Sequence, residues 1–169
     1  VTQRLLAEEG VDVELDEVTR RFERIYQGTD ETPGLRETEE LMVRPDWLER
    51  LGRSYRIGIV TGRPRKDAER FLGSAGIRDH VEALVCMEDA PLKPDPAPVE
   101  LLCEKLGVER AWLIGDTPDD VRAAREAGVL PIGVVAPGED PELVEQTLTK
   151  AGAARVLGDL TADLEELLP

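Results

Sequence analysis

Two acids four positions apart, Asp116 and Asp120, mark the stretch Ala111-Trp-Leu-Ile-Gly-Asp-Thr-Pro-Asp-Asp120. It reads as a short apolar strand that ends at Gly115, carries Asp116 at its tip and runs into a helix holding Asp120. Carboxylates kept side by side repel each other. A hard cation bound through oxygens and water, Mg2+ above all, relieves that repulsion. A purely structural account covers part of the same pattern. Thr117 suits an N-cap, Pro118 suits the first helical position, and Asp120 three residues after Thr117 completes a capping box. The helix dipole also favours acids in a first turn. That accounts for Asp119 and Asp120 but not for Asp116, which precedes the cap. On this stretch alone both readings stand.

Two more strand ends carry usable chemistry. Residues 55–60 read as a strand followed by Thr61-Gly62-Arg63-Pro64. A hydroxyl, a glycine amide and a helix N-terminus together can bind an anion, and the same letters also make an ordinary turn into a helix. Residues 83–87 read as a strand followed by Glu88-Asp89-Ala90-Pro91-Leu92-Lys93-Pro94-Asp95. Lys93 lies in a loop stiffened by Pro91 and Pro94. Such a lysine can fix a phosphate and offset clustered carboxylates, though most lysines are simply exposed.

The elements that must position these residues alternate from residue 44 onward. Helices are expected at 45–53, 64–74, 96–106, 118–127, 141–151 and 161–168. Strands are expected at 55–60, 83–87, 111–114, 131–135 and 154–157. Short links between alternating strands and helices predict an α/β fold, a doubly wound, Rossmann-like parallel sheet covered on both faces. In such sheets ligands bind at the carboxyl ends of the strands. That is where Thr61, Lys93 and Asp116 fall. Residues 1–43 differ. Leu5 and Leu6, then Leu15, Val18, Phe22, Ile25 and Tyr26, recur at helical spacing, and 28–34 reads as a loop. The division predicted is a helical cap segment at 1–43 and a core at 44–169. Trp47 is expected in the core, and His80 in a polar surface linker.

The 169 residues include 21 basic and 36 acidic ones, a net charge of -15. That argues against nucleic acid and anionic membrane as partners. It leaves a small anionic substrate open, because a local site can oppose the global charge. Cys86 and Cys103 show no metal or redox spacing. Two reduced thiols, no apolar run of spanning length and no signal peptide predict a cytoplasmic protein. No Gly-x-Gly-x-x-Gly follows any strand, which disfavours a nicotinamide site. A receiver-type signalling domain is disfavoured because its acids come first in the chain, whereas here they come last. Oligomeric state stays open.

Thr61, Lys93 and Asp116 with Asp120 are far more specific as a set than singly. Here the sequence resembles the haloacid dehalogenase superfamily of phosphatases, in its phosphoglycolate phosphatase-like branch. The resemblance runs over about residues 1–168. It is carried by Ile59-Val-Thr-Gly-Arg-Pro64, Leu92-Lys-Pro-Asp-Pro96, Leu113-Ile-Gly-Asp-Thr-Pro-Asp-Asp120 and Ala123-Ala-Arg-Glu-Ala-Gly-Val129. The resemblance implies that Thr61 and the Gly62 amide hold the transferring phosphoryl group, with Arg63 close enough to touch substrate. It implies that Lys93 neutralises charge between nucleophile and phosphate. Asp116 would bind Mg2+, and Asp120 would act on it directly or through water and Lys93. Residues 1 to about 40 resemble a cap that closes over substrate. Small phosphorylated metabolites are the implied substrates, with phosphoglycolate, sugar phosphates and histidinol phosphate all allowed.

One part of the pattern is not found. Family members open with a strand ending in Asp-x-Asp-Gly-Thr, whose first Asp is the nucleophile and whose second is the general acid and base. Asp12-Val13-Glu14 and Gly28-Thr29-Asp30 are the nearest matches, and neither qualifies. The sequence is therefore expected to begin inside the cap, with the family's first strand missing and the chain by itself inactive, since covalent phosphoryl transfer needs the nucleophile. In the family that strand lies between those ending at Val60 and Ile114. A gap there leaves two edges unpaired. An incomplete sequence, a strand from a second polypeptide, or a rearranged sheet would each resolve it. The alternative function is a non-catalytic binding or regulatory domain that keeps the scaffold.

Overall fold

The computed structural model describes residues 14–168. The helix expected before residue 11 lies outside them, as does most of Asp12-Val13-Glu14. The chain divides into two compact units, residues 1–41 and 42–169.

The described part of the first unit opens with helix α1, Leu15–Gln27. On this helix the Phe22 and Tyr26 rings lie parallel with centroids 5.9 Å apart, the spacing expected of residues four apart. The loop expected at 28–34 is instead a small antiparallel hairpin, β1 (Gly28–Thr29) with β2 (Thr32–Pro33). The Thr29 hydroxyl closes its turn by accepting from the Glu31 and Thr32 amides at 3.3 and 3.2 Å. A hydroxyl doing the work of a backbone turn is easy to miss in a stretch with no alternation to signal strands. A 3-10 turn follows at Leu35–Thr38. The Tyr26 hydroxyl then donates to Glu39 at 2.9 Å and ties the end of the unit back to α1.

The second unit runs α2 (Pro45–Gly52), β3 (Gly58–Val60), α3 (Arg65–Ser74), β4 (Ala83–Val85), α4 (Ala97–Leu106), β5 (Trp112–Gly115), α5 (Pro118–Glu126), β6 (Leu130–Val134), α6 (Pro141–Ala151), β7 (Arg155–Leu157) and α7 (Leu160–Leu167). Every strand pair in this unit is parallel, as the alternation of strand and helix requires. Successive side chains of a strand point to opposite faces, and β6 shows the consequence. Ile132 and Val134 pack with Trp47, Leu157 and Leu164, under α2 and α7. Gly133 faces the other way, where a Cβ would fall 2.8 Å from Leu148 of α6. So helices cover both faces of β6. Trp47 is 5% exposed and its indole N–H donates to Glu165 at 2.7 Å. That bond satisfies the polar end of a buried aromatic. A second core of Val85, Leu102 and Leu106 lies between α4 and the β3–β4 pair.

The sheet is not continuous. Among the described residues β3 pairs only with β4, and β5, β6 and β7 form a separate set of three. Among these residues β3, β4, β5 and β7 each keep one open edge, those of β3 and β5 among them. Burial differs from strand to strand: β4 and β6 are mostly buried, whereas β3 and β5 are only half-buried along most of their length. The strands at 55–60 and 83–87 are also shorter than expected, three residues each. An unpaired edge supplies no ladder partner to extend β3.

Candidate active site

The site is built on the loops that leave β3, β4 and β5. Thr61 continues β3, its amide donating to the Val85 carbonyl at 2.9 Å. Its hydroxyl accepts from the Arg63 amide at 3.2 Å and folds the loop into a tight turn. The helix N-terminus expected to share in anion binding is already engaged. The Arg65 amide, the first of α3, donates to both Glu88 oxygens at 2.9 and 3.1 Å. A carboxylate at a helix start is a favourable partner, so that amide is not open to a further anion. The Arg63 guanidinium lies over the Phe71 ring, 5.4 Å from its centroid.

The β4 loop is braced from within. Asp89 accepts from the Cys86 amide at 2.7 Å and pairs with Arg65. The Cys86 amide, with Arg65 beside it, holds the Asp89 carboxyl below the usual carboxylate range. Burial pushes the Cys86 thiol up, which suits an inert structural thiol. The loop then delivers Leu92 beside the first loop, since a methyl placed on Gly62 would touch Leu92 at 3.7 Å. Lys93 follows, joined to Pro94 by a cis peptide bond.

The Lys93 ammonium forms an ion pair with Asp120 Oδ1. The Asp120 side chain is 9% exposed and that of Lys93 21%. A carboxylate this buried needs both its charge and its lone pairs satisfied, and both are. The Thr117 amide and hydroxyl donate to Oδ2 at 3.1 and 2.6 Å. The Asp120 amide donates back to the Thr117 hydroxyl at 3.2 Å. This is the capping box read from the sequence, with Pro118 in the first helical turn. Gly115 makes room for it, since a Cβ there would lie 2.4 Å from the Asp120 Cβ. The capping and charge-pairing readings are therefore both present in one side chain. Asp116 differs: at the tip of β5 it is exposed to solvent.

Lys93 and Asp120 thus meet directly, Asp116 adjoins Asp120 through Thr117, and Gly62 adjoins the Lys93 loop through Leu92. Thr117 was read from the sequence as a cap alone. Its grip on the buried carboxylate has the capping box as its only sequence signal. His80 sits in a 3-10 turn, Arg78–His80, on the stretch between α3 and β4.

Mg2+ favours oxygen donors, and the carboxylates here supply them. Among the described residues no group of three or more His, Cys, Asp or Glu side chains gathers around one point, so a cage made wholly of protein ligands is not what this region offers. Mg2+ does not require one. It commonly takes one or two carboxylates and completes its shell with water and phosphate oxygens. An exposed Asp116 beside a buried, lysine-paired Asp120 fits that mode, with Asp116 as the accessible ligand.

The parallel α/β fold thus carries a lysine–aspartate pair and an exposed aspartate where its strands end. The chain belongs to the haloacid dehalogenase-like hydrolase family, whose profile matches residues 2–134, and falls in its phosphoglycolate phosphatase-like branch. It is 39% identical over 167 residues to the imidazoleglycerol-phosphate dehydratase of Phytophthora nicotianae, covering 92% of this chain and 37% of that protein. It is 36% identical over 113 residues to the phosphoglycolate phosphatase of Rhodospirillum rubrum, covering 65% of this chain and 45% of the other. The chain therefore spans less than half the length of these two relatives. A solved hydrolase from Pseudomonas syringae shares the fold with a TM-score of 0.76 at 24% identity, over 99% of this chain and 77% of that one.

Proposed function

We propose that this chain belongs to a Mg2+-dependent phosphatase acting on a small phosphorylated metabolite through an aspartyl-phosphate. The observation that carries the reading is the Lys93–Asp120 ion pair held beside an exposed Asp116 at the strand tips. Here the Thr61 hydroxyl and Gly62 amide receive phosphoryl oxygens, and Arg63 flanks them. Lys93, steadied by Asp120, offsets the charge that gathers as phosphate and carboxylate approach. Asp116 would hold Mg2+, with Asp120 contributing through water, and the ion would polarise the phosphoryl oxygens. Residues 1–43 serve as the cap segment and 44–169 as the core. The two free cysteines and the absence, among the described residues, of any helix long and apolar enough to cross a membrane accord with work in the cytoplasm.

The nucleophile comes from a strand ending in Asp-x-Asp that fills the open edges of β3 and β5. Hydrolysis of para-nitrophenyl phosphate, with and without Mg2+, tests this on the chain and on an N-terminally extended one. We expect the extended chain alone to turn over, only with Mg2+. Asp116→Asn should lower its rate by roughly a hundred-fold or more, the scale of losing a main electrostatic stabiliser. An inert extended chain, or an Asp116→Asn enzyme as fast as its parent, defeats the reading. The unpaired edges also favour a second reading, a binding or regulatory domain that takes up a partner's strand without catalysis. Inertness with intact phosphate binding is its signature.

A further inference from the structure

We propose that Thr117 is a positioning residue for Lys93, acting through Asp120; the inference rests on the phosphatase reading of the site. A helix cap needs two of the bonds found here, the Asp120 amide to the Thr117 hydroxyl and the Thr117 amide to the Asp120 carboxylate. The third is additional. The Thr117 hydroxyl proton goes to Oδ2 at 2.6 Å, the short distance of a charge-assisted bond. Oδ2 thus takes two donors from one residue, and Oδ1 is left facing Lys93.

No other described side chain bonds this carboxylate, and at 6% exposure water has little access to it. Its rotation about the last side-chain bond is therefore set by Thr117 on one oxygen and Lys93 on the other. Gly115 adds a steric limit, because the Asp120 side chain rests against the strand where a Cβ would collide. Lys93 is a long, flexible chain, and an ammonium is held in place only by what it bonds. Without the hydroxyl proton the carboxylate can turn, and the ammonium loses its fixed seat beside the phosphoryl site.

The test compares the whole chain with Thr117→Ser, Thr117→Val and Thr117→Asp. Serine keeps the donor and the acceptor. Valine keeps the shape and removes both. Aspartate keeps an acceptor for the helix cap but has no hydroxyl proton, so it stands in should the valine variant not fold. The first readout is the rate at which Lys93 is acylated by an amine reagent, followed by peptide mass, with exposed Lys66 and Lys150 as internal controls. The second is binding of inorganic phosphate with Mg2+ present, by calorimetry.

We expect Lys93 labelling to rise several-fold in the valine and aspartate variants, with the control lysines unchanged and serine like the parent. Phosphate binding should weaken about ten-fold, the effect of one lost bond to a charged group. Unchanged Lys93 labelling in a folded valine or aspartate variant overturns the proposal. So does a rise shared equally by Lys66 and Lys150, which marks general loosening. Should the parent bind no phosphate, the phosphatase reading fails, and the labelling ratio still decides whether Thr117 positions Lys93.

Discussion

At Gly115 one hydrogen atom separates a working arrangement from a collision. A methyl at that position would sit 2.4 Å from the Asp120 Cβ and 2.6 Å from its Cγ, well inside any real contact. Gly115→Ala is expected to push Asp120 away from Lys93 and to cost about 1–3 kcal/mol of stability, the usual range for overpacking. Urea unfolding measures the second effect. Asp89 predicts a pH effect. Its folded pKa is depressed, so its stabilisation is present above the ordinary carboxylate pKa and fades as pH falls through the folded value. Below about pH 4 the parent should lose stability more steeply than Asp89→Asn, and the gap between them at pH 7 should close. Parallel urea melts at several pH values check it. Of these residue-level features the sequence exposes some and hides others. The capping box at Thr117 and Asp120 is local, three residues apart, and therefore readable. The pairing of Lys93 with Asp120 spans 27 residues, and only the placement of both at strand ends hints at it. That Glu88 seats on the first amide of α3 has no local signal, because the acid and the helix come from different loops.

Among the elements, α6 illustrates what local pattern can fix. Asp140 caps it by accepting from the Glu142 and Leu143 amides, Pro141 opens it and Gly152 closes it in a left-handed conformation. All three are standard stop and start signals, so its bounds could be read from the letters. Its anchor is Leu148, 1% exposed against β6. Leu148→Ala should destabilise the chain by about 2–5 kcal/mol, read from thermal or urea unfolding. The strands were less legible. β3 and β4 are three residues each, and a run of apolar residues does not state how much of it finds a pairing partner. The hairpin of residues 28–33 was missed for the opposite reason, since two-residue strands carry no alternation at all.

For the whole molecule, a charge of -15 on 169 residues means that folding brings like charges closer. Such self-repulsion lowers stability and is screened by salt, with a Debye length near 10 Å at 0.1 M ionic strength. The melting temperature should therefore rise from low salt to about 0.3 M KCl, and a flat or falling profile would count against net repulsion. The parallel α/β plan was legible in the alternation of strands and helices, since few other folds accept that order. The split between β3–β4 and β5–β7 could be anticipated only through the family resemblance, because no residue within either strand states which neighbour it lacks.

That split has an optical consequence. The protein's two tryptophans sit in contrasting surroundings. Trp47 is sealed in a core, while Trp112 begins the strand that borders the opening and is 41% exposed. Quenching by acrylamide should therefore sort them into a shielded and an accessible emitter. Anything that zips onto the free border of β5 would dim the difference, so the chain carries its own fluorescent gauge of whether that border is occupied.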